Sequence, residues 1–146
     1  MKTAFLSLSA LLLGAVVVFG QGESAKTRSG AESRFDYEEL AKAPDKVRAK
    51  HNPLAGDESA VAGGKKLFEQ HCAECHGAEG EGGKKAPSLV VPAVQEATPG
   101  AVFWVLTNGV VWRGMPVWSK LPEVQRWQLV SYVQTLKMAN SKTILH

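Results

Sequence analysis

Apolar residues along this 146-residue chain gather in four stretches, and their spacing differs from one stretch to the next. The first, Ala4 to Phe19, is nearly unbroken. The second, Glu58 to His71, places Ala60, Val61, Gly64, Leu67 and Phe68 at helical spacing, so one face of a helix is apolar there. The third predicts a helix over Pro99 to Thr107 with Val102, Phe103, Val105 and Leu106 as its apolar content, ended by Asn108-Gly109. The fourth begins near Pro122, a residue suited to the first helical position, with Glu123 beside the positive helix end. Val124, Trp127, Val130, Val133 and Leu136 form its expected buried stripe, which Leu129 and Tyr132 broaden enough to contact more than one neighbour. Between the second and third stretches Gly77, Gly80, Gly82 and Gly83 forbid a long helix and predict a loop closed by Ala86-Pro87-Ser88-Leu89. With no strand alternation and no internal repeat, the pattern predicts an all-α fold of a few short helices.

The first stretch has a different meaning. Lys2 precedes it, and small residues around Gly20 and Gly22 follow before the chain turns polar, which is the build of an export signal. Its 16 residues fall short of the roughly 20 that span a bilayer comfortably, so the expectation is removal near Gly20 or Gly22 and a periplasmic protein. The alternative is an uncleaved segment tethering the protein to the outer face of the cytoplasmic membrane. Nothing else in the chain reads as a span. Residues 21–57 are polar, interrupted by Pro44, Pro53 and several glycines, and carry seven basic and seven acidic residues. This stretch reads as an extension or linker with at most short helices, either lying on the domain around His51-Asn52-Pro53-Leu54 or acting as a spacer. The expected organisation is a signal at 1–20, an extension at 21–57 and one domain at 58–146.

Both cysteines of the chain fall in Cys72-Ala73-Glu74-Cys75-His76, a CxxCH run, the pattern of covalent haem attachment. Two thiols one helical turn apart can each add to one of the two vinyl groups on a porphyrin edge. The next residue, His76, then lies under the iron, and imidazole is a good iron ligand when its other nitrogen is held by a carbonyl. Competing chemistry fits less well. A thioredoxin-like pair wants a preceding strand, a structural zinc site wants four ligands in two separated pairs, and a plain disulfide across two residues needs only an oxidising compartment. Export agrees with haem attachment, which in bacteria takes place outside the cytoplasmic membrane. A chain of roughly 125 residues after removal of the leader makes a modest core, to which a buried porphyrin would add apolar surface.

Charge alters this picture little. Of 17 basic residues Lys2 leaves with the signal, so 16 face 14 acidic ones, and two haem propionates bring the balance near zero. Nucleic-acid binding is disfavoured. Lys65, Lys66, Lys84 and Lys85 bracket the haem motif, either as a docking rim for an acidic redox partner or as ordinary solvated lysines.

An iron that only exchanges electrons needs its sixth position filled. The candidates are Met115 and Met138, with His51, His71 and His146 as further imidazoles. Met115 comes first: it sits in Arg113-Gly114-Met115-Pro116 between two predicted helices, 39 residues beyond His76, where Gly114 permits close approach and Pro116 stiffens the turn. Met138, near the end of the last helix, suits core filling. A thioether ligand raises the reduction potential relative to two imidazoles. Trp104, Trp112, Trp118 and Trp127 could wall a haem pocket, with Arg113 reaching a propionate, or could pack as ordinary core.

Taken together, Cys72-Ala73-Glu74-Cys75-His76-Gly77, Ala86-Pro87-Ser88-Leu89, Gly114-Met115-Pro116 and Leu129-Val130-Ser131-Tyr132-Val133 resemble the bacterial class I c-type cytochromes with one haem, over roughly residues 58 to 140. The resemblance implies a cytochrome c-like fold in which the first and last domain helices cross beside the cofactor. It implies Gly64 and Phe68 against Leu129 and Tyr132 at that crossing, and the Pro87 carbonyl receiving the N–H of His76. The extension before residue 58 departs from the smallest members of that family. The implied function is an electron carrier, not an enzyme, with one covalent haem c and its iron, ligated by His76 and Met115 and passing single electrons between a redox donor and acceptor. It would act as a monomer or as a subunit of a complex. The alternative is a haem subunit of a larger oxidoreductase, or a ligand-binding or peroxidase-like protein whose sixth ligand is labile.

Overall fold

A computed structural model describes residues 37–136 of the chain. The expected signal at 1–20, the extension as far as residue 36, and Met138 and His146 lie outside the described residues. Within them the chain is helical: α1 Glu38–Ala41, α2 Asp45–Arg48, α3 Glu58–His71, α4 Ala73–His76, α5 Pro92–Gln95, α6 Pro99–Asn108 and α7 Glu123–Val133. A single 3-10 turn, Val111–Arg113, lies between α6 and α7.

Local chemistry fixes the ends of the longer helices. The Asp57 carboxylate caps α3 by accepting from the amides of Ser59 at 2.8 Å and Ala60 at 3.2 Å, satisfying donors that an α-helix leaves without partners. The Ser59 hydroxyl, then these amides, hold Asp57 below the usual carboxylate range. Thr98 caps α6 through its hydroxyl, Pro99 occupies the first turn, and Gly109 ends the helix with φ of +67°. In α7 Pro122 is the N-cap with extended backbone, and the helix proper starts at Glu123, one residue later than expected.

Helices α3 and α7 form the main packing pair, and they meet backbone to backbone. Gly64 lies so close to α7 that a Cβ would collide with the Gln128 carbonyl and come within 2.9 Å of Tyr132 Cβ. One turn further on, the Phe68 and Tyr132 rings face each other at 5.3 Å. The crossing thus uses the four residues that the cytochrome resemblance implied, with Leu129 fully buried beside it. Around it Phe68, Leu129, Val130, Val133, Phe103 and Trp127 make the core, and each side chain of this size contributes about 1.5–3 kcal/mol through burial. Phe103 stacks on Trp127 at 4.0 Å, tying α6 to α7.

The expected stripe on α7 holds for Trp127, Val130, Val133 and Leu136, all buried, but Val124 is 53% exposed. The crossing with α3 is centred on Gln128 to Tyr132, so the first turn of α7 runs clear of its neighbour. One element carried no readable pattern: α5 is a single turn that buries only Val94.

Residues 37–57, read from sequence as domain-lying or as a spacer, are packed on the domain. Ala43 and Asn52 are buried. Asn52 donates to the Ser131 hydroxyl at 2.8 Å and the Trp127 carbonyl at 3.3 Å on α7. Gly100 lets α2 settle on α6, since a Cβ there would meet the Val47 carbonyl.

Two substitutions test this frame. Gly64→Ala separates α3 from α7 and lowers stability by about 3 kcal/mol in denaturant unfolding. Asp57→Ala lowers the unfolding midpoint at neutral pH. Because the folded carboxyl titrates below its ordinary value of 3.8, its charge-dependent stabilisation is complete above that value and disappears as pH falls through the lower folded one. The gap between Asp57→Ala and wild type therefore narrows in strong acid, and a gap that widens there excludes the cap.

Candidate functional site

The helix that carries Gly64 runs straight into the CxxCH motif. Cys72 ends α3, its amide donating to the Phe68 carbonyl at 2.8 Å, and starts α4, its own carbonyl accepting from Cys75 and His76 at 3.1 and 2.9 Å. One tight turn therefore carries both thiols and the imidazole. The sulfurs are not joined to each other. Burial first, and the nearby Cys75 second, push the Cys72 thiol up to about 11, so it is protonated at neutral pH, whereas Cys75 is exposed.

His76 is held from one side. Its Nδ1 lies 2.9 Å from the Pro87 carbonyl oxygen, and because a carbonyl only accepts, Nδ1 carries the proton and Nε2 keeps its lone pair. Burial lowers the His76 pKa, against the opposing pull of that hydrogen bond, so the ring is neutral near pH 7, the form that binds a metal. The loop presenting Pro87 is folded back on the motif by Gly82 N–H to the His76 carbonyl at 2.6 Å and Leu89 N–H to the Gly80 carbonyl at 2.7 Å.

Met115 reaches the same cavity from the other half of the domain. Val110 and Met115 exchange both backbone hydrogen bonds, at 3.0 and 3.1 Å, across a turn in which Gly114 takes the left-handed conformation, φ +90°. A Cβ on Gly114 would meet no protein atom within 4 Å, so backbone conformation is what demands glycine among the protein's own contacts.

Cys72, Cys75, His76 and Met115 line one cavity of about 180 Å³, an order of magnitude above the ~15 Å³ that one water needs. Its remaining wall is mostly apolar, with Phe68, Val94, Val102, Leu106, Leu129 and Val133 belonging also to the core. A porphyrin fits this donor set and this lining: apolar walls for the macrocycle, two thiols on one turn, and a neutral imidazole with its outer nitrogen anchored. Among the described residues no three His, Cys, Asp or Glu side chains converge as a metal cluster, so the zinc alternative has no geometry behind it.

Of the other sequence candidates, His71 lines the cavity with its ring tilted 48° against that of Trp118, centroids 5.2 Å apart, while His51 is exposed and stands apart from the cavity. Trp118 and Arg113 line it, whereas Trp104, Trp112 and Trp127 do not. Lys65, Lys66, Lys84 and Lys85 are all exposed. Lys85 pairs with Glu74 at 3.2 Å and Lys65 with Glu69 at 3.8 Å, exposed pairs that add little stability. Sequence reasoning missed Tyr37, Glu39 and Leu40, which also line the cavity. Their only signal was Tyr37 and Leu40 placed three apart in a stretch of helix formers.

A helical fold around an apolar cavity, with a CxxCH turn on its wall, defines the class of c-type haem proteins. Residues 59–133, just over half of the chain, match the family model described as cytochrome c oxidase, cbb3-type, subunit III. The chain belongs to that family, and its cofactor is covalently bound haem c with its iron. No curated protein matches the chain. Among the described residues no helix is long and apolar enough to cross a membrane.

Since six core side chains also line the cavity, haem and fold are coupled. A Cys72→Ala, Cys75→Ala chain produced without haem is expected to lose most of its helical circular dichroism and its cooperative melting. Retention of a native-like spectrum and a sharp transition would separate the fold from the cofactor.

Proposed function

We propose that the protein is an exported, periplasmic electron carrier. In this reading Cys72 and Cys75 would hold the haem through thioethers, and His76 and Met115 would be the protein ligands of its iron. The bound group would supply a one-electron couple between a donor and an acceptor protein, with no substrate chemically changed. The observation that carries the reading is the convergence of both thiols, a neutral imidazole and one thioether on a single apolar cavity. With the cofactor bound, haem supplies the one-electron chemistry. The protein's part is to keep both ligands in place, so that little rearranges between oxidation states. The Pro87 carbonyl fixes the His76 ring, and the Val110–Met115 backbone pair fixes the loop that presents the thioether. The apolar wall excludes water.

The family is named for an oxidase subunit, and this favours a second arrangement with the same chemistry, in which the carrier works inside a larger oxidoreductase rather than as a free monomer. Size-exclusion chromatography of the protein purified from its own membranes and periplasm separates the two.

The test of the ligand set is Met115→Ala. Matured with the haem-attachment machinery, the variant should keep a haem-staining band in denaturing electrophoresis, show a lower reduction potential, and bind carbon monoxide promptly when reduced. The parent should bind carbon monoxide slowly or not at all. An unchanged potential and spectrum would move the sixth ligand elsewhere, and prompt binding by the parent at neutral pH would replace the carrier with a ligand-binding haem protein.

A further inference from the structure

The family domain begins at residue 59, yet three residues well before it, Tyr37, Glu39 and Leu40, line the haem cavity. They arrive on a segment fastened at both ends. At one end Asn52 is buried against α7, donating to Ser131 and to the Trp127 carbonyl, while its side-chain oxygen accepts from Leu54 N–H at 2.9 Å. In the middle Ala43 is 1% exposed, and the Arg48 guanidinium donates to the Ala41 and Ala43 carbonyls at 2.7 and 2.8 Å. At the other end the Tyr37 hydroxyl donates to the Ser88 carbonyl at 3.0 Å. Ser88 follows Pro87, whose own carbonyl orients His76. The segment thus spans from the back of α7, across α6, to the loop that holds the axial imidazole.

We propose that residues 37–56 are a clasp that completes the haem site of this protein, with Leu40 closing the apolar wall, Glu39 setting the charge beside the porphyrin, and Tyr37 acting as a positioning residue for the Pro87 loop. The proposal rests on the haem reading above and adds to it the part of the pocket that precedes the residues the family model matches. Each residue has a distinct physical effect. Leu40 keeps water from the cofactor, and a drier site disfavours the more positively charged ferric state. Glu39 is turned inward, its side chain 16% exposed and paired with Lys42 at 2.7 Å. A carboxylate there favours the ferric state by simple Coulomb attraction. Tyr37 acts only through the loop.

The signs therefore oppose each other, which a merely structural strap would not produce. Redox titration of matured holoprotein reads them. Leu40→Ser should shift the ferric to ferrous ratio at fixed potential about three- to tenfold toward ferric, at most about 59 mV for one electron. Glu39→Gln should shift it two- to fivefold toward ferrous. Tyr37→Phe, which removes only the hydroxyl, should move the proton resonances of the His76 ring and the haem methyl groups in the ferric protein. All three should retain full haem content by mass.

Variants with full covalent haem whose ratios stay within a factor of 1.5 of the parent's, and whose His76 resonances do not move, overturn the clasp and leave the carrier reading standing. Shifts of Leu40→Ser and Glu39→Gln in the same direction overturn the assigned roles. A matured parent whose mass shows no haem overturns both the clasp and the function it rests on.

Discussion

The CxxCH turn is positioned by the backbone contact between Gly64 on α3 and Gln128 on α7. Helix α3 is continuous from its Asp57 cap to Cys72, where the motif turn begins, so the place at which α3 meets α7 decides where the thiols and imidazole come to rest. On the other side of the same contact, α7 presents Leu129 and Val133, which belong both to the core and to the cavity wall. A side chain at position 64 would push the helices apart and with them the motif from its wall. Close packing makes such a contact intolerant of even one added methyl.

The two sides of the cavity that carry His76 and Met115 are built by different means. The side of His76 is an extension of helix geometry: α3 ends, one residue serves as cap for both helices, and a glycine-containing loop folds back to give the imidazole a carbonyl partner. The side of Met115 has no helix. It relies on a reciprocal backbone pair and one glycine at positive φ, and it leaves Val111 and Trp112 each 67% exposed, with the Arg113 guanidinium 4.2 Å from the Trp112 ring centroid.

Much of this was legible in the sequence because it depends on local chemistry. Helical spacing located α3, α6 and most of α7, the glycines located the intervening loop, and CxxCH needed no tertiary information, since both thiols and the imidazole sit on one turn. The cytochrome resemblance pointed to Gly64, Phe68, Leu129, Tyr132 and Pro87, and the structure puts these residues where it implied. What escaped the sequence is what depends on distant partners. Val124 has the right spacing for a buried stripe, but spacing says nothing of where the neighbouring helix stops. Helix α5 is one turn with one buried residue, too short for any period to show.

Residues 37–57 were hardest to read, for a physical reason that also explains how they are held on the domain. Their composition is that of a spacer, balanced in charge and broken by proline. Besides the packing of Tyr37, Leu40 and Leu54 against the core, they are held by polar groups finding fixed backbone partners: Asn52 on the Trp127 carbonyl, Arg48 on the Ala41 and Ala43 carbonyls, and Tyr37 on the Ser88 carbonyl. A buried asparagine costs free energy unless it is satisfied; the Asn52 oxygen finds Leu54 N–H nearby, but its amide nitrogen is satisfied by residues 75 and 79 positions away. No one-dimensional pattern encodes such a match. A polar stretch therefore reads as loose from its sequence and is bound tightly by its fold, and in this protein that binding carries Tyr37, Glu39 and Leu40 to the cavity wall.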